Sequence, residues 1–320
     1  MIASRLLVCV ACSLAAWIAQ GLITNCWAQS SPQVVPLQTR DGVQLKVTYY
    51  PSKHPKGTPQ AKQVAPVVLL HDYKETRATF AALAERLQGV AEGEPEGPSF
   101  AVVAVDLRAH GDSTKQVFPD GSQVDLDAAR LGKNDFVAMA TLDMEAVRGL
   151  LFVKNDAGEL NLDKLCLVGA GMGANVAANW AAQDWAAPPL AVGKQGQDVK
   201  ALVLVSPRWS FNGLTMQAPL RFRPLKQFVA WQLIYGEEDP RVKADINRIE
   251  RQLEPLHSKR DDAAANQPQD LVVIGVPSKL QGGTLVSKMG PPLENQIIRF
   301  LAENVARKEQ PWIKRLDLLP

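Results

Sequence analysis

The stretch LCLVGAGMGANVAANW, residues 165–180, joins a short apolar run to a cluster of glycines and then to an alanine-rich helical pattern. Two chemistries use that layout. A G-x-G-x-x-G/A loop lets a dinucleotide pyrophosphate approach a helix N-terminus. A G-x-S-x-G turn instead raises a nucleophilic serine on a sharp strand-to-helix bend, and here Gly171 stands where that serine would be. Residues 169–174, GAGMGA, fit the first pattern, but the carboxylate that should end the next strand and hold the ribose is missing. That strand, ALVLV, runs into Ser206-Pro207, while Asp198 lies before it, at the wrong end. At least two parallel strands also precede the glycines, whereas the dinucleotide fingerprint follows the first strand of its unit. The bend is the preferred reading, and a dinucleotide-binding oxidoreductase is the lesser alternative.

Such a bend needs a sheet behind it. VVPLQTRDGVQLKVTYYP alternates around Asp41-Gly42 and predicts a leading β-hairpin. VAPVVLLHD and FAVVAVDLRAHGDST each begin as near-continuous apolar runs, the mark of parallel strands buried on both faces. Helical spacing follows over 75–90, 136–153 and 172–186, with strands at 164–168, 201–207 and 228–236, the last two joined by a short connection. PRVKADINRIERQLE predicts an amphipathic helix, LVVIGV a last strand, and LENQIIRFLAENVAR a closing helix, with polar loops at 91–98 and 257–269. Strands alternating with helices imply an α/β fold: a mostly parallel central sheet with a leading hairpin and helices on both faces. Residues 33–320 read as one domain.

At 320 residues and 46% hydrophobic, the chain can bury a large core. Its formal net charge of +2 and lack of a long basic block argue against nucleic acid as a partner. Residues 1–28 predict a secretory signal peptide: Arg5, then an apolar run, then Cys26 and Ala28 at the −3 and −1 positions of a cleavage site. The reading is therefore an exported protein, secreted or periplasmic. Because the apolar run is long, an uncleaved membrane anchor over residues 6–23 is the alternative. Cleavage would leave Cys166 as the single cysteine, mid-strand, where it reads as a small buried hydrophobe.

Four segments in this order resemble the α/β-hydrolase superfamily, in particular its serine-aminopeptidase and dienelactone-hydrolase-like branches, over nearly the whole chain after the leader. VVLLHD is similar to the strand that leads into the oxyanion loop. VAVDLRAHGDS resembles a D-x-R-G-H-G-x-S turn, with Ala109 in place of the first glycine. LVGAGMGA resembles the elbow, and LIYGEEDP the turn that carries the triad acid, which assigns that position to Asp239. The resemblance implies oxyanion donors at the backbone N–H groups of Tyr73 and Met172, and a structural place for His71 and His110.

The resemblance fails at the reacting atoms. Gly171 has no side chain to attack a carbonyl. The loop after the last strand, where the base should stand, holds Gln281, Gly282 and Gly283 and no histidine; all four histidines precede that strand, and His257 reads as an exposed loop residue. Asp72 replaces the usual glycine beside the oxyanion donors, where its charge would oppose an oxyanion. Ser113 and Ser206 lack a histidine placed to activate them, and no His/Glu pair has metal-ligand spacing. Trp209 and Phe211 are candidates to line a pocket beyond the strand C-termini. The expectation is thus a catalytically inactive binding or scaffolding module for a small-molecule or protein partner, with no cofactor and no metal. An active esterase- or peptidase-like hydrolase with a relocated centre is its rival.

Overall fold

The computed structural model describes residues 31–89, 97–188, 194–257 and 268–315. The expected leader lies outside these residues, as do the central parts of the two polar loops. The chain opens with the hairpin strands β1 (Gln33–Gln38) and β2 (Val43–Tyr50), then β3 (Pro66–Leu70), α1 (Ala81–Gln88) and β4 (Ala101–Asp106). Short strands β5 (Lys115–Val117) and β6 (Gln123–Asp125) precede helices α2 (Lys133–Ala138) and α3 (Met144–Asp156), which are joined by a π turn at Met139–Asp143. Next come β7 (Leu165–Ala170), α4 (Met172–Ala186) and β8 (Val199–Val205). A small hairpin, β9 (Ser210–Phe211) and β10 (Leu214–Thr215), and helices α5 (Gln217–Arg221) and α6 (Arg223–Phe228) lead to β11 (Ala230–Gly236). The chain continues through α7 (Pro240–Leu253), β12 (Leu271–Val276), α8 (Gly282–Met289) and α9 (Pro291–Leu301).

Among the described residues ten strands form one sheet in the order β12-β11-β8-β7-β3-β4-β2-β5-β6, with β1 on β2. The six strands from β12 to β4 are parallel, and β1, β2, β5 and β6 are antiparallel to their neighbours. Every residue of β3, β4 and β7 is buried, as their unbroken apolar sequence requires of strands covered on both faces. Two apolar cores result, one on each face: the first centres on Trp180, Phe136 and Leu167, the second on Phe80, Phe100 and Phe300. Cys166 is buried in the second core. Among the described residues no helix is long and apolar enough to cross a membrane.

Three sequence expectations change. The segment between β8 and β11 is not a short connection but carries a hairpin and two helices that cover α4. The loop after β12 contains α8, hidden in the sequence by the two glycines that start it. His257 is buried rather than exposed, with Nδ1 3.1 Å from the Asp270 carboxylate.

Two charged clasps fix this frame. Arg108 reaches the hairpin turn through Asp41 (Nη1–Oδ2, 2.8 Å) and the π turn through the fully buried Asp143 (Nη2–Oδ1, 2.7 Å; Nε–Oδ1, 2.9 Å). At the N-terminal ends of the central strands β7 and β8, the segment after α9 docks on the domain. Trp312 donates to the Leu160 carbonyl, and the buried Arg315 donates to Asp198 (2.7 Å) and to the Lys194 carbonyl (2.8 Å). Removing one partner of a buried ion network leaves the others uncompensated, at a cost of about 3–5 kcal/mol. Urea unfolding of Arg108→Met should show a loss of that size without a change in the slope of the transition. A loss below about 1 kcal/mol, the level of a surface pair, would show that this clasp does not hold the hairpin.

Candidate active site

The bend itself is built as the sequence predicts. Gly171 follows β7 with φ +48° and ψ −109°, a conformation that strains any residue with a side chain, and α4 starts at the next residue. A Cβ on Gly169 would collide with the Gly173 carbonyl, and one on Gly173 with the carbonyls of Leu70 and His71, so these two glycines let strand, helix and the loop after β3 touch backbone to backbone.

That loop carries Asp72, whose side chain folds back into the bend. Its Oδ1 accepts hydrogen bonds from both implied oxyanion donors, the N–H of Tyr73 (2.7 Å) and the N–H of Met172 (2.8 Å). The carboxylate fills the space of the absent nucleophile, since a Cβ on Gly171 would overlap it. A Cβ on Gly282, whose φ is +60°, would meet its Oδ2, and one on Gly283 would meet the Glu75 carboxylate. Gly171, Gly282 and Gly283 therefore converge, from two distant parts of the sequence, on one pair of carboxylates. A pyrophosphate at the start of α4 would have to displace Asp72, which argues against the dinucleotide reading on geometric grounds.

The loop is held from behind. His71 Nε2 accepts from the Leu107 N–H (3.1 Å), so its Nδ1 carries the proton and donates to the Asp72 carbonyl (2.7 Å). Burial pushes the His71 pKa down to about 3, so it stays neutral and serves as a brace. His110 donates from Nδ1 to the Arg108 carbonyl (2.8 Å), and its buried Nε2 has no partner. Two residues with side chains have positive φ next to these groups: Lys74, two residues after Asp72, and Ser206, whose Oγ accepts from the Gly282 N–H. Strain in residues other than glycine tends to gather at functional sites.

The other predicted residues stand as follows. Gln281 Oε1 accepts from Ser206 Oγ (2.6 Å) and the Gly236 N–H (3.2 Å), while its Nε2 donates to the Gly236 carbonyl (2.8 Å). Ser206 Oγ in turn accepts from the Gly282 N–H (3.0 Å). A serine thus meets the loop of the missing base, but its partner is a neutral amide that cannot take a proton. Asp239 caps α7, accepting from the N–H groups of Arg241 (2.9 Å) and Val242 (3.2 Å), and no side chain of the bend bonds to it. Phe211 joins Tyr73 and Phe136 in an aromatic cluster with centroids 5.3–6.2 Å apart. Trp209 lies under the Arg248 guanidinium at 3.5 Å. Sequence reasoning missed Glu75 and Arg208. Glu75 accepts from the Asp72 N–H (3.2 Å) and the Thr284 hydroxyl (3.2 Å), and Arg208 acts on Asp72 through its charge. The only sequence signal for Glu75 was its spacing of three residues from Asp72.

Burial raises the Asp72 carboxyl above the usual carboxylate range, against the pull of the two N–H groups and of Arg208. Glu75 is raised by burial and then by the neighbouring Asp72 charge. A carboxyl raised in the folded state holds its proton where the unfolded chain has already lost its own. Its stabilising share is then complete below the ordinary value of 3.8 and falls as pH rises through the higher folded value. Urea midpoints of Asp72→Asn should therefore decline less than those of the unmodified protein between about pH 4 and pH 7; parallel curves would contradict the assignment. Gly171→Ser should lose about 1–3 kcal/mol from backbone strain, plus the clash with Asp72. In a double-mutant cycle, Asp72→Gly should restore at least about 1 kcal/mol beyond additivity. An additive cycle would mean that the two positions do not share the space.

A family model described as alpha/beta hydrolase family matches residues 67–305. No curated protein matches the chain significantly. Among solved structures, the fold is similar to an esterase of Pyrococcus furiosus, Pf2001 (15% identity, 86% of this chain and 91% of that chain, TM-score 0.51). It is also similar to the BES protein of Bacillus cereus (13% identity, 86% and 96%, TM-score 0.53). A third is the acylaminoacyl peptidase of Pyrococcus horikoshii (12% identity, 93% of this chain but 45% of that one, TM-score 0.52). At such identities the likeness concerns the fold alone.

Proposed function

The chain belongs to the alpha/beta hydrolase family, and from that premise we propose that it is an exported binding module that does not hydrolyse its ligand. The observation that carries this reading is the Asp72 carboxylate seated on the N–H groups of Tyr73 and Met172, with glycine at 171 and 282 leaving it room. Acyl transfer needs an attacking atom, a group to take its proton and donors for the oxyanion. Position 171 supplies no attacking atom. Gln281 stands in the loop of the base and cannot accept a proton. Both donors are already spent on an internal acceptor that bears the charge the transition state would develop.

The magnitudes point the same way. Losing the nucleophile or the base of a triad costs roughly 10⁶ in kcat. Losing one oxyanion donor costs about 10²–10³, and here two are occupied. The rival reading, a hydrolase with a relocated centre, has one observation in its favour: Ser206 is strained at φ +52° and its Oγ is hydrogen-bonded in the base loop. Against it stand the 2% exposure of Ser206 and the amide that receives its hydrogen bond.

Intact-mass analysis after incubation with a broad fluorophosphonate probe separates the two. The folded protein should carry no adduct, and the same spectrum should show a chain that starts at Gln29. A stoichiometric adduct that disappears in Ser206→Ala would establish the relocated hydrolase and overturn the binding reading.

A further inference from the structure

We propose that the altered bend binds a protonated amine, an ammonium group seated on Asp72 in front of Tyr73. This rests on the non-hydrolytic reading and names the ligand class for the same site. A bend with free N–H groups presents donors and would select a carbonyl or carboxylate oxygen. Here Oδ1 of Asp72 consumes both donors. Its Oδ2, beside Gly282, has no hydrogen-bond partner among the described residues and is not among the buried unpartnered atoms, so the bend offers an acceptor in place of its two N–H donors. The polarity of the site is inverted.

Three further observations fit a cation. Asp72 has no ion-pair partner among the described residues, although it is largely buried: Arg208 acts on it only at longer range, and Glu75 adds a second negative charge beside it. An under-compensated carboxylate in a half-dry site gains most from a cation brought in by a ligand. His110, 3% exposed, packs edge-on against Tyr73 with ring centroids 5.8 Å apart and holds a second unpartnered acceptor, Nε2. The aromatic face beside the carboxylate already holds an ammonium, since Lys74 Nζ stands 5.3 Å from the Tyr73 ring centroid. The partly exposed Phe211, 6.2 Å from the Tyr73 ring and backed by the buried Phe136, continues that face and would accommodate an apolar substituent on the amine.

Benzylamine, benzyl alcohol and benzoate share a ring and differ in the group offered to Asp72. Titration calorimetry on the mature protein should show saturable binding of benzylamine, with the alcohol and benzoate at least roughly tenfold weaker. Asp72→Asn should lose most of the benzylamine affinity while its circular dichroism remains that of a folded protein. Glu75→Gln, which leaves the two N–H bonds to Asp72 untouched, should weaken benzylamine more than benzyl alcohol and serves if the first variant fails to fold. Benzoate binding as tightly as benzylamine, affinity unchanged in a folded variant, or no saturable binding of the amine would each overturn the proposal. A fluorophosphonate adduct would instead sink the non-hydrolytic reading, so the two failures are distinct.

Discussion

Two backbone N–H groups, those of Tyr73 and Met172, meet a single carboxylate oxygen, and the rest of the site follows from that meeting. The donors come from different elements, the loop after β3 and the first turn of α4. They face one point only because β3 and β7 are neighbours in the sheet and Gly169 and Gly173 allow backbone contact. Once Asp72 takes that point, a side chain at 171 or 282 has no room, and the glycines there are the sterically compatible choice. His71 braces the loop that delivers the carboxylate.

The fold was legible where sequence pattern and burial coincide. The unbroken apolar runs of β3, β4 and β7 announced strands covered on both faces, the alternation around Asp41-Gly42 announced the hairpin, α7 carries clear helical spacing, and α4 was betrayed by its alanine-rich composition. What was missed was short or disguised. Three-residue strands such as β5 and β6 leave no periodicity to detect. The paired glycines at the start of α8 read as loop. Between β8 and β11, Ser206-Pro207 and Pro219 look like turn punctuation, yet the chain there folds into a cover for α4. His257 looked like a polar loop residue because its burial comes from tertiary packing, which local composition does not report.

The site was half legible. Gly171, the missing histidine and the odd carboxylate at 72 could each be read along the chain. Their spatial identity could not, because residues 72, 171 and 282 meet only through sheet topology. The sequence suggested that Asp72 would oppose an oxyanion; in the structure its carboxylate accepts from the N–H groups of Tyr73 and Met172, the two donors that the resemblance implies. Asp239 illustrates the reverse limit. A position that looks like an acid of a triad is, in three dimensions, the cap of α7.

The shared space at the bend also ties three distant positions of the chain together. A serine at 171 would land on a carboxylate and a strained backbone, and a side chain at 282 would meet the same carboxylate. Loss of the Asp72 side chain alone would leave the N–H groups of Tyr73 and Met172 without their acceptor. Residues 72, 171 and 282 are therefore one steric unit: each restricts what the other two can be, although the chain separates them widely.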